Sequence, residues 1–129
     1  MKLDGKVVVV TGAGNGMGRE LTLQLIKKGA KVAAVDMRAE SLAETKELVN
    51  AQGGVVETFV VDISDAAKVL DLPNQVAIKL GEADALINNA GIIQPFVKIN
   101  ELTLDQAAKV MNVNFTGPLM LTKAFLPGF

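Results

Sequence analysis

The sequence predicts an α/β protein built on one doubly wound parallel sheet, and three observations carry that expectation. Short apolar runs alternate with longer amphipathic stretches, the order of repeated strand, helix, strand units. The clearest runs, Val7 to Val10 and Val32 to Val35, are uninterrupted, so they read as strands covered on both faces. The four strand candidates also end in small or polar residues: Thr11-Gly12, Asp36, Asp62 and Asn88-Asn89. Ligands bind beyond the carboxyl ends of strands in such sheets.

The first unit runs from Lys6 to Asp36. Thr11 closes its first strand, and the loop Gly12-Ala13-Gly14-Asn15-Gly16-Met17-Gly18 leads into a helix. Met17, Leu21 and Leu25 share one face of that helix with Ile26 beside them, and Gly29 stops it. Glycines in such a turn fit two readings, tight packing of helix on sheet or close approach of the backbone to a pyrophosphate at the helix N-terminus. Asp36, an acid at the tip of the second strand, can accept hydrogen bonds from ribose hydroxyls, and this points to a nucleotide. An NTPase phosphate loop would need Gly-Lys-Ser/Thr where Gly18-Arg19-Glu20 stands. G-x-G-x-x-G fails as well, since its last glycine would fall on Met17 or Arg19. The spacing that fits is T-G-x-x-x-G-x-G on Thr11, Gly12, Gly16 and Gly18.

Further along, Ser41-Leu42-Ala43-Glu44 matches a capping box for a second helix, with Leu42, Leu48 and Val49 on one face and Gly53-Gly54 as its stop. Residues 55 to 61 form a third strand candidate ending at Asp62. Ser64 and Asp65 can cap a third helix, which Pro73 is expected to split. The fourth strand, Ala85 to Ile87, runs into Asn88-Asn89-Ala90-Gly91, residues that make either a turn or part of a site. A last helix begins at the capping box Thr103-Leu104-Asp105-Gln106, with Leu104, Ala108, Met111, Phe115 and Leu119 on one apolar face. Val110, Val113, Met120, Leu121 and Phe125 lie off that stripe, so the helix must be covered on several sides, within one chain or between copies.

Composition narrows the function. Half of the 129 residues are hydrophobic and 21% are charged, the balance of a single globular domain. A net charge of −1 without a basic stripe gives no footprint for nucleic acid or an anionic membrane. There is no cysteine and no histidine, which argues against a metal site. Residues 110–129 carry one charge, Lys123, but Asn112, Asn114, Gly117 and Pro118 interrupt them, so a buried or interface helix is expected rather than a membrane span. The first strand follows too soon after Met1 for a signal peptide, which suggests a cytoplasmic location.

The glycine spacing after the first strand resembles the fingerprint of the short-chain dehydrogenase/reductase family. Asn88-Asn89-Ala90-Gly91 resembles that family's second motif, and Val113-Asn114-Phe115-Thr116-Gly117 its V-N-x-x-G element. The resemblance implies a Rossmann-type sheet of strand order 3-2-1-4 and an NAD(P)-dependent oxidoreductase acting on an alcohol or ketone. It also implies that Gly12, Asn15, Gly16, Met17 and Gly18 cradle the pyrophosphate and adenosine ribose, with Asp36 and Met37 flanking that ribose. Asp62 and Ile63 would meet the adenine edge, while Asn88, Ala90 and Gly91 would line the path towards the nicotinamide. Asn114 matches the asparagine of the family's catalytic tetrad, whose main-chain carbonyl holds a water in a proton relay. Pro118, four residues on, lacks the N-H that would bond that carbonyl, so it either supports the relay or is a proline tolerated at a kink. The family places this helix at a subunit interface, which implies a homo-oligomer.

NAD is expected over NADP, because the Asp36 carboxylate would bind ribose hydroxyls and repel a 2′-phosphate. Asn15 stands where NADP users in the family often carry a basic residue, whereas Arg38 could swing towards a phosphate. The resemblance covers roughly the first half of a family domain, so the chain is expected to be incomplete at its C-terminal side. The tetrad's serine and Tyr-x-x-x-Lys belong to the other half; this sequence has no tyrosine, and Ser41 and Ser64 read as helix caps. By itself it is therefore expected to be inactive, and a non-catalytic dinucleotide-binding module or an interaction protein stands as the alternative.

Overall fold

A computed structural model describes residues 1–129. Its parallel sheet has the order β3-β2-β1-β4, formed by β1 (Val7–Thr11), β2 (Lys31–Asp36), β3 (Val55–Val60) and β4 (Ala85–Ile87). The helices α1 (Gly16–Lys27), α2 (Ala39–Ala51) and α3 (Ala66–Leu80) follow the first three strands in turn. After β4 an irregular stretch leads to α4 (Leu104–Met111), a π-helical turn (Asn112–Thr116) and α5 (Gly117–Phe125).

Alternation along the buried strands divides the core in two. Val8, Val10, Val32, Ala34 and Val56 point to the side covered by Leu25 and Ile26 of α1 and Leu42 and Val49 of α2. Val7, Val9, Ala33, Val35 and Phe59 point to the other side, under Val69, Leu72 and Val76 of α3 and Leu121 and Phe125 of α5. Doubly wound architecture thus follows directly from uninterrupted apolar strands.

Several local expectations are corrected. The buried face of α1 is Gly18, Thr22, Leu25 and Ile26, one residue round from the stripe expected on Met17, Leu21 and Leu25. Gly18 has to lie against the Gly12 carbonyl, and that contact leaves Met17 77% exposed. The second helix starts at Ala39, not at a Ser41 capping box; Arg38 is its N-cap, and the Asp36 carboxylate steadies the start by accepting from the Arg38 N-H at 3.1 Å. Leu48 is exposed, and Thr45 takes its place between Leu42 and Val49 on the buried face. At α3, Asp65 caps the helix through the Lys68 N-H, whereas Ser64 bonds Asp62.

Pro73 does not split α3. Proline costs a helix about 3 kcal/mol, but Val69, Leu72 and Val76 are buried on either side of it, and each such side chain contributes about 1.5–3 kcal/mol. Burial wins. The apolar stripe expected on the last helix faces outward: Leu104 is 88% exposed, and Met111, Phe115 and Leu119 are exposed too. The side that packs carries Val113, Gly117, Met120, Leu121, Ala124 and Phe125. A stripe drawn at 3.6 residues per turn assumes one regular helix, and the π-helical turn breaks that period.

Candidate functional site

The carboxyl ends of β1, β2 and β3, the loop after β4 and one face of α4 enclose a cleft of about 760 Å³, within the range of cavities that hold small organic ligands. Its lining includes Gly12, Asn15, Gly16, Met17, Asp36, Met37, Asp62, Ile63, Ala90 and Gly91. Ten of the residues expected at the site therefore meet around one cavity.

The glycine loop forms the wall beneath α1. Gly12 (φ +67°) and Gly16 (φ +55°) adopt left-handed backbone, and beside Gly16 a side chain would meet only open space. The side chain of Asn15, the N-cap of α1, makes no capping hydrogen bond. Helix geometry leaves the first N-H groups of α1 without intrahelical partners, so a positive dipole end faces the cleft next to bare backbone. Such a cradle fits an anionic phosphate.

Two sets of bonds hold the loop in place. On the β4 side, the Thr11 hydroxyl accepts from the N-H groups of Asn89 (3.1 Å) and Ala90 (3.0 Å), and the Asn89 amide donates to the Thr11 carbonyl at 3.0 Å. On the β2 side, the Gly14 N-H donates to Asp36 Oδ2 at 2.9 Å. Behind it, fully buried Thr45 donates to the Ala13 carbonyl at 2.9 Å and accepts from Arg19 Nε at 3.0 Å. Arg19 also donates to the carbonyls of Gly14 and Ser41 and pairs with Glu44 at 2.9 Å.

Three expected residues lie elsewhere. Gly18 sits behind the cleft, against Gly12. Asn88 does not line the cleft: its amide donates to Thr122 Oγ1 at 3.3 Å, and the neighbouring Asn89 faces the cavity. Asn114 lies beyond the lining as a clamp on the loop, its Oδ1 accepting from the Ile92 N-H at 2.8 Å and its Nδ2 donating to the Ile92 carbonyl at 2.7 Å. The helix defect anticipated there is the π-helical turn itself, closed by the Gly117 N-H on the Asn112 carbonyl and followed by Pro118.

Sequence reasoning missed the wall given by Asp105, Ala108, Lys109, Asn112 and Val113, and the bracing by Arg19 and Thr45. Thr45 carried a signal: it falls between Leu42 and Val49 at helical spacing, a hydroxyl on an apolar face that needs a buried partner.

The Asp62 carboxyl has a displaced pKa. Hydrogen bonds from the Ser64 hydroxyl (2.7 Å) and N-H (2.9 Å) hold it below the usual carboxylate range. A lowered folded-state pKa means that these bonds stabilise the fold above the unfolded-state pKa and that this contribution is lost as pH falls through the folded value. Ser64→Ala is expected to raise the Asp62 pKa towards its unfolded-state value, which shrinks this contribution and narrows from below the pH window over which it is lost. Carboxyl-carbon NMR titration checks this, and an unchanged Asp62 curve would contradict the assignment.

Residues 6–129 match the sequence profile described as short chain dehydrogenase. An uncharacterized oxidoreductase of Thermotoga maritima is 37% identical over 123 residues, which are 95% of this chain and 48% of that protein. A short chain dehydrogenase/reductase from Burkholderia phymatum, solved in complex with NAD, superposes with a TM-score of 0.95 at 31% identity, over 100% of this chain and 46% of that one. A metagenomic short-chain oxidoreductase in complex with NADP gives 0.92 at 29% identity, over 99% and 58%. The chain spans about half the length of the curated relatives it matches.

Proposed function

The chain belongs to the short chain dehydrogenase family, and from that footing we propose that it is the dinucleotide-binding half of an oxidoreductase that moves hydride between a nicotinamide cofactor and an alcohol or ketone. The observation that carries this reading is the Asp36 carboxylate at the rim of the cleft beside the glycine cradle. A carboxylate offers about four acceptor positions. Gly14 and Arg38 each use one, so two remain for a pair of neighbouring ribose hydroxyls.

When bound, the nicotinamide supplies the hydride acceptor or donor. The residues of this chain bind and orient it. Gly12, Asn15, Gly16 and Met17 wall the pyrophosphate, the two glycines with bare backbone, while Gly18 holds that wall from behind against Gly12 and the dipole of α1 aids binding. Asp36 and Met37 flank the adenosine ribose, Asp62 and Ile63 the adenine edge, and Ala90 and Gly91 the path to the nicotinamide. Asn88 supports that path from behind. Asn114 is the catalytic-type residue: its side chain is committed to Ile92, which leaves the main-chain carbonyl, opposite a proline that cannot donate, to hold a relay water. NAD is the preferred cofactor, since Asp36 would repel a 2′-phosphate. The exposed stripe of Leu104, Met111, Phe115 and Leu119 supports an interface with a second copy.

Calorimetric titration tests the reading. The 129-residue chain is expected to bind NAD saturably, and to show no dehydrogenase turnover with alcohols, because it holds neither tyrosine nor histidine for proton transfer. A folded chain that binds neither NAD nor NADP would overturn the reading, and clear turnover would overturn the assignment of chemistry to the other half.

A further inference from the structure

Gly14 lies at one of the free positions of the T-G-x-x-x-G-x-G pattern, and its φ is not positive, so other residues could adopt its backbone conformation. What excludes them is space. A Cβ at this position would stand 2.7 Å from the Cβ of Ser41, 2.8 Å from Asp36 Oδ2 and 3.0 Å from Asp36 Cγ.

We propose that Gly14 is a specificity-determining residue, whose bare backbone lets the Asp36 carboxylate close onto the loop and so fixes the direction in which that carboxylate meets the 2′ end of the ribose. The inference rests on the dinucleotide reading above. The obstructing groups differ in freedom. Ser41 Cβ is carried by the backbone of α2 and has no torsion of its own to turn it aside, whereas the Asp36 carboxylate rotates about its side-chain torsions. The loop itself cannot retreat, because the other end of the same residue, the Gly14 carbonyl, is gripped by Arg19 and by Thr45 at 3.2 Å. A methyl group at position 14 therefore turns the carboxylate away and breaks its 2.9 Å bond to the Gly14 N-H. Discrimination against a 2′-phosphate depends on where that charge sits, so it falls when the carboxylate moves.

The test compares dissociation constants for NAD and NADP in the unmodified chain, in Gly14→Ala and in Gly14→Ala/Ser41→Gly, where the fixed obstruction on α2 is removed and only the conflict with the carboxylate remains. Both variants are expected to lower the NADP-to-NAD ratio of dissociation constants by roughly tenfold, the scale of one hydrogen bond to a charged group. Equal weakening of both ligands, or an unchanged ratio in a folded variant, would overturn the role of Gly14 and leave the dinucleotide reading standing. An unmodified chain that binds neither ligand would overturn both. A readout that needs no glycine variant is the Gly14 amide proton. Its NMR shift is expected to follow the ionisation of one carboxylate and to lose that dependence in Asp36→Asn; an amide indifferent to pH across the carboxylate range would overturn the proposal.

Discussion

Gly18→Ala is expected to cost the fold roughly 3–5 kcal/mol, the sum of a rigid overlap and a lost, partly buried hydrogen bond. The added Cβ would overlap the Gly12 carbonyl and come within 2.6 Å of Asn89 Nδ2. Neither neighbour can yield cheaply. Gly12 is backbone in a left-handed turn, and Asn89 is held by its own bond to the Thr11 carbonyl. Moving α1 outward instead would strip Leu25 and Ile26 from the strands beneath them. Because domains of this size are stable by only about 5–15 kcal/mol, chemical unfolding followed by circular dichroism should show a large fall in midpoint. A midpoint close to that of the parent chain would mean that α1 and the turn at Gly12 are not in the contact described.

Asp36→Ala is expected to weaken NAD binding by roughly 10- to 100-fold, the range for hydrogen bonds to a charged group, while leaving NADP binding unchanged or improved. Removal of the carboxylate takes away the acceptors for the ribose hydroxyls together with the repulsion felt by a 2′-phosphate. It also frees the Gly14 N-H, a change that acts on both ligands alike. Only the difference between the two cofactors therefore reports on ribose recognition, and calorimetric titrations with each give it. Equal loss for both would mean that Asp36 braces the loop without reading the ribose.

The strands and the carboxyl-edge position of the cleft were legible in the sequence because uninterrupted apolar runs and terminal polar residues are properties of single segments, whereas the strand order followed only from the family resemblance. Val7 to Val10 cannot lie anywhere but between two layers, and Asp36 and Asp62 must then fall at one edge of the sheet. The expected details that did not hold depended on partners distant in sequence. Ser41 and Glu44 have capping-box spacing, yet the two are drawn into the Arg19 network, and Asp36 steadies the start of α2 instead. Asn88 and Asn89 are alike as residue types; which of them faces the cleft is settled by Thr11 on one side and Thr122 on the other. Met17 was placed on the buried face by periodicity alone, without the demand that Gly18 touch Gly12.

The π-helical turn at Asn112–Thr116 also settles the phase of the last helix. Successive α-helical residues are about 100° apart, so one surplus residue turns everything after it back by about 100° relative to a straight helix. In an unbroken helix, the side carrying Gly117, Leu121 and Phe125 would lie nearly opposite the side on which Asp105, Ala108, Lys109 and Asn112 meet the cleft, roughly 170° away. The surplus residue brings the two sides to within roughly 70° of each other. One rod can then wall the cavity with its first half and anchor in the core with its second, so the number of residues between Lys109 and Leu121 is constrained independently of their identities.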